Sequence, residues 1–121
     1  MQITKLNRVP AFVTKDGSEI RELLAYRNSA IRNQSLAEAR LPIGGATQEH
    51  YHPRTEEIYY ITHGTGRIRI EGEVREVEAG DAIADIPERG RTVLHDRLCG
   101  KLDVGKQQDA IGALQCHIGA I

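Results

Sequence analysis

The stretch GGATQEHYHPRTEEIYYITHGTG, residues 44–66, decides how the rest of the chain is read. His50 and His52 are separated by one residue, and Glu57 follows after four more. On a β-strand, positions two apart share a face, so the two imidazoles project into one space. A carboxylate delivered by the next strand then completes one side of a metal site. Two imidazoles and a carboxylate facing open positions suit iron(II), and the same donors accept manganese, nickel, cobalt or zinc. An isolated HxH is as compatible with a surface pair beside a charged loop. Here it is flanked by a glycine turn, Pro53, a β-rich continuation and a second glycine turn, and that context favours ligation of one divalent ion.

Outward from this stretch, glycines punctuate short runs rich in Ile, Val, Tyr and Thr, the pattern of an antiparallel β protein. Strands are predicted at 35–41, 57–62, 67–70, 73–78 and 81–86, with turns at Gly44-Gly45, His63-Gly64-Thr65-Gly66, Glu71-Gly72 and Ala79-Gly80. Their spacing suits a closed barrel or sandwich. In GRIRIEG, Ile68 and Ile70 alternate with Arg67 and Arg69, as a half-buried strand requires. The segment DGSEIRELLAYR is ambiguous. A capping box from Asp16 to Glu19 with apolar Ile20, Leu23 and Leu24 reads as a short helical turn, and an extended arm along a barrel edge reads equally well.

A chain of 121 residues without a linker or composition break is expected to be one domain. Hydrophobic residues at 40%, charged residues at 27% and a net charge of −1 give no field that attracts nucleic acid or anionic lipid. The amino-terminal MQITKLNRVPAFVTKDG has no signal-type apolar run, and nothing approaches the roughly 18 apolar residues of a membrane span. The expectation is a cytoplasmic protein with neither nucleic-acid nor membrane partners. Cys99 and Cys116 form no CxxC motif and are read as plain thiols.

Gly44, five residues, His50-x-His52, four residues, Glu57, six residues and Gly64 resemble the first motif of the cupin superfamily, and TEEIYYI is similar to the wording of small single-domain cupins. The resemblance runs from about residue 11 to residue 86. It implies an all-β, antiparallel double-stranded β-helix (a jelly-roll barrel), spanning 1–121 as a single cupin domain. Residues 1–34 form an N-terminal arm and edge strands, 35–86 the core with the first motif, and 87–121 a divergent C-terminal part. It also implies Glu57 as the ligand and Glu56 as its outward neighbour, since only Glu57 leaves six residues before Gly64. A homodimer and a small-molecule substrate are further implications.

The second cupin motif is less regular. Gly80-Asp81-Ala82-Ile83 opens it, but Pro87 comes one residue late, and strict counting puts Thr92 where the fourth ligand, a histidine, is expected. His95 reaches the metal if the loop is longer, and is otherwise a surface histidine beside Asp96. Residues 97–115 mix Lys, Asp, Gln and Gly with few β-branched residues. That shift raises the expectation of a divergent or frame-shifted ending whose strands are poorly formed or come from a partner subunit. His117 and Cys116 receive no role, and His63 is expected in solvent.

By parity Glu57, Tyr59 and Ile61 share a face, so Tyr59 either lines the cavity beside the metal or fills the core. Glu56 and Tyr59 are the candidates for proton transfer. Arg40, Arg67 and Arg69 suit a carboxylate ligand in residue type, although arginines alternating with apolar residues usually mark the wet side of a sheet. The function expected is a metal-dependent enzyme of dioxygenase, isomerase, lyase or decarboxylase type acting on a small oxygen-rich molecule. The alternatives are a non-catalytic sugar-binding or small-molecule-binding cupin, or a degenerate scaffold. Protons compete for the imidazoles, so metal binding is expected to weaken below about pH 6.5.

Overall fold

The computed structural model describes residues 1–15, 17–48, 55–85, 101–103 and 111–118. Among the described residues, a 3-10 turn at Leu6–Arg8 is followed by nine strands: β1 (Phe12–Val13), β2 (Glu19–Leu24), β3 (Gln34–Leu41), β4 (Glu56–His63), β5 (Thr65–Ile70), β6 (Glu73–Glu78), β7 (Ala82–Asp85), β8 (Lys101–Asp103) and β9 (Ile111–Ile118). They form a six-stranded sheet in the order β1-β2-β3-β9-β4-β7 and a three-stranded sheet in the order β6-β5-β8. Every pairing between the strands of each sheet is antiparallel. The all-β, antiparallel expectation holds.

Alternation makes the core. Along β4, Glu57, Tyr59 and Ile61 are buried while Ile58 and Tyr60 are exposed. On β5, Ile68 is buried between exposed Arg67 and half-buried Arg69. Leu41, Tyr59 and Ile61 of the larger sheet meet Ile68 and Val77 of the smaller one, with Ile70 and Ile83 packed at the margin. Burial of these side chains, at about 25 cal/mol per Å² of apolar surface, is the main force holding the sheets face to face.

Two glycines of the first motif have a backbone reason to be glycine. Gly44 has φ +75° in the turn closed by the Gly45 N–H donating to the Pro42 carbonyl at 2.9 Å. Gly64 has φ +79° and is the single residue between β4 and β5, so the chain passes there from one sheet to the other. A side chain is strained in this left-handed region.

The ambiguous segment resolves as strand β2, without a helical turn. Its apolar spacing suits both periods, but pairing decides: β2 sits between β1 and β3, with Glu19 opposite Arg40 and Arg21 opposite Glu38. Arg21 and Arg40 lie 3.5 and 3.1 Å from the Glu38 carboxylate. Opposite charges across the strands favour this register, and long-range pairing overrides local helix propensity. Asp16 lies outside the described residues.

The expectation that the carboxy-terminal strands are poorly formed or come from a partner subunit is corrected for residues 111–118. β9 is an eight-residue strand of this same chain, paired with β3 on one side and β4 on the other. Two full-length partners supply the backbone hydrogen bonds that fix it, whatever its low content of β-branched residues.

Candidate functional site

Glu57 is the second residue of β4 and points into the interior, where it is 2% exposed. The Tyr59 hydroxyl, two residues along the same face, donates a hydrogen bond of 2.7 Å to Glu57 Oε2. This bond restrains the rotamer of the Glu57 carboxyl group. Tyr59 is itself 2% exposed and belongs to the core cluster. It thus fills the core with its ring and orients Glu57 with its hydroxyl.

The parity that places Glu57 inside places Glu56 outside. Glu56 is half-buried on the opposite face of β4, in register with Ile118, and the strand itself separates it from the Glu57 side. Tyr60 shares that outer face and is exposed. His63, at the end of β4, is exposed as expected. Arg40 is also on the outer face, paired with Glu38, and so is not brought to Glu57. A groove of about 740 Å³ lined by Lys5, Leu6, Val9, Pro10, Arg21 and Arg40 lies on that outer side as well.

His50, His52 and His95 lie outside the described residues, together with Pro87, Gly90 and Thr92. Among the described side chains no three His, Cys, Asp or Glu groups come together as metal donors, and Glu57 is the member of the expected set found there. Among the described residues no helix is long and apolar enough to cross a membrane.

Cross-strand register adds two residues that the sequence did not single out at this site. Glu57 is opposite Asp85 of β7 on one side and opposite His117 of β9 on the other. Their proximity could not be read from the chain, because β9 was not expected to be a strand and register joins residues far apart in sequence.

Residues 37–87 match the family described as the Cupin domain. The chain is 45% identical over 80 residues to an uncharacterized protein of Methanocaldococcus jannaschii; the aligned part is 66% of this chain and 64% of that protein, so the match spans less than two thirds of the relative's length. The fold is similar to that of the polyketide cyclase RemF from Streptomyces resistomycificus, with a TM-score of 0.76 at 21% identity, over 98% of this chain and 79% of that one. It is equally similar to an RmlC-like cupin from Shewanella frigidimarina, with a TM-score of 0.76 at 11% identity, over 99% of this chain and 92% of that one. Two antiparallel sheets sharing a core, a matched segment that contains the whole HxH-to-Gly64 motif, and these likenesses in fold lead to one statement: residues 37–87 match the Cupin domain family, and the chain has a cupin-like fold.

Proposed function

We propose that the protein is a metal-dependent cupin enzyme acting on a small oxygen-rich molecule, with one divalent ion held by His50, His52 and Glu57 and with His95 as a further candidate donor. The observation that carries this reading is the burial of Glu57. An ionised carboxylate taken out of water is costly unless donors or a cation meet it, and this one is 2% exposed on an inward face. The HxH that precedes β4 has the donor chemistry to hold such a cation beside it. When bound, a divalent ion of this kind supplies Lewis acidity toward a carbonyl or enediolate oxygen, or, for iron, a place for dioxygen chemistry.

The chain's own residues do the rest. Glu57 brings the negative charge that anchors the ion. Tyr59 is a positioning residue: its hydroxyl holds Glu57 Oε2, in the manner of the outer partners that orient metal ligands. Leu41, Ile61 and Ile68, each no more than 3% exposed, close the interior behind it against water. Of the two residues considered for proton transfer, Tyr59 is on the Glu57 side and Glu56 is not. RemF, similar in fold, is described as a polyketide cyclase, which is compatible with chemistry on an oxygen-rich substrate.

An enzyme keeps exchangeable water at its metal, whereas a site that only stabilises or stores the ion is coordinatively closed. The manganese-loaded protein is therefore expected to enhance the relaxation of water protons over free manganese. Added oxalate, a probe oxygen-rich acid, is expected to reduce that enhancement. Full manganese binding without any enhancement would overturn the enzyme reading in favour of a closed site.

A further inference from the structure

The groove on the outer side of the larger sheet has a volume of about 740 Å³, which is within the size range of small-molecule sites. Strands β2 and β3 contribute Arg21 and Arg40 to its lining, and the N-terminal arm contributes Lys5, Leu6, Val9 and Pro10. Arg40 alternates along β3 with Leu41 of the core, so it is turned away from the interior into which Glu57 points. The groove is therefore a separate place from the Glu57 site.

Its charge is unbalanced. The arm brings no carboxylate, since the first acidic residue of the chain is Asp16. Lys5, Arg21 and Arg40 supply three positive charges, and the carboxylates that reach the arginines are those of Glu19 and Glu38. Arg21 is taken up by both, its Nη1 meeting Glu19 and lying 3.5 Å from Glu38 Oε2. Arg40 is different. Its side chain is 53% exposed, and among the described residues it donates one hydrogen bond, of 3.1 Å to Glu38 Oε1, although a guanidinium carries five N–H donors. Lys5 is exposed and has no ion pair among the described residues. Beside these two cations, Leu6 and Val9 are half-buried and leave apolar surface along the groove. A guanidinium fork matches a planar carboxylate, and the apolar wall gains by being covered with hydrocarbon.

We propose that this groove binds a small monocarboxylate with an apolar body, its carboxylate taken by Arg40 and Lys5 and its hydrocarbon laid along Leu6, Val9 and Pro10. The site is independent of the metal reading above.

The test is a titration of the full chain with octanoate, followed by the shifts of the backbone amide signals in NMR spectra. Saturable shifts are expected at Lys5, Leu6, Val9, Arg21 and Arg40. Acetate, which lacks the apolar body, is expected to bind at least about tenfold more weakly, and octanol, which lacks the charge, at least about fivefold more weakly. Arg40→Gln is expected to weaken octanoate binding by at least about fivefold. Because Arg40 also holds Glu38, Lys5→Gln on the exposed arm serves as the second variant, with an expected loss of about twofold to fivefold and an otherwise unchanged spectrum. Octanol binding as tightly as octanoate, an affinity unaltered in both variants, shifts centred on Tyr59 and Ile61 in place of the groove, or no saturable shift at all would each overturn the proposal.

Discussion

Glu57→Gln is expected to lower the affinity for the divalent ion by more than about 100-fold, beyond the 10–100-fold typical of residues that merely orient a ligand. The amide keeps the size of the side chain, and its carbonyl still accepts the Tyr59 hydroxyl that now lies 2.7 Å from Oε2. What it removes is the charge. In the metal-free protein the same change is expected to be neutral or stabilising in urea denaturation, because a group able to carry charge in a 2% exposed position is replaced by one that never does. Opposite effects on affinity and on metal-free stability are the signature of a residue kept for its site. If Glu57→Gln instead destabilises the metal-free protein by several kcal/mol while metal is retained, Glu57 is a structural carboxylate.

The largest effect on stability is expected from Ile61→Ala. Ile61 is 0% exposed and packs among Leu41, Tyr59, Ile68 and Val77, where the two sheets meet. Truncation removes the transfer energy of three carbons and leaves a cavity, which together cost about 2–5 kcal/mol. A domain of this size has about 5–15 kcal/mol in total, so the loss is a large share of it. A fall in Tm on the order of 10 °C is expected. Ile58→Ala, three residues earlier on the outer face and 38% exposed, is expected to cost less than about 1 kcal/mol. Equal losses at the two positions would contradict the facing of β4.

The strands from β4 to β7 were legible because their signals are local. Alternation in EEIYYI and GRIRI, with glycines at the corners, specifies both the strands and their inward residues, and Gly44 and Gly64, at the predicted turns, have positive φ. β2 was ambiguous because EIRELL fits a helical stripe and a strand; only its pairing with β3, where Arg21 reaches Glu38 and Glu19 stands opposite Arg40, separates the two. β9 was not legible. IGALQCHI contains Gly, Gln and His, and what makes it a strand is its place between β3 and β4, a property of the assembled sheet. The candidate site divides the same way. Glu57 could be read from parity and motif, whereas its register with Asp85 and His117 follows from strand order and could not be read from either segment alone.

The central claim is that one divalent ion sits on His50, His52 and Glu57, and it is tested most directly by elemental analysis of untagged protein purified without chelator, beside His52→Ala. The account predicts close to one equivalent of a divalent transition metal in the wild-type protein and its loss in His52→Ala with an unchanged circular dichroism spectrum. A wild-type protein that holds no metal even after reconstitution, or a His52→Ala variant that retains it, would contradict the account.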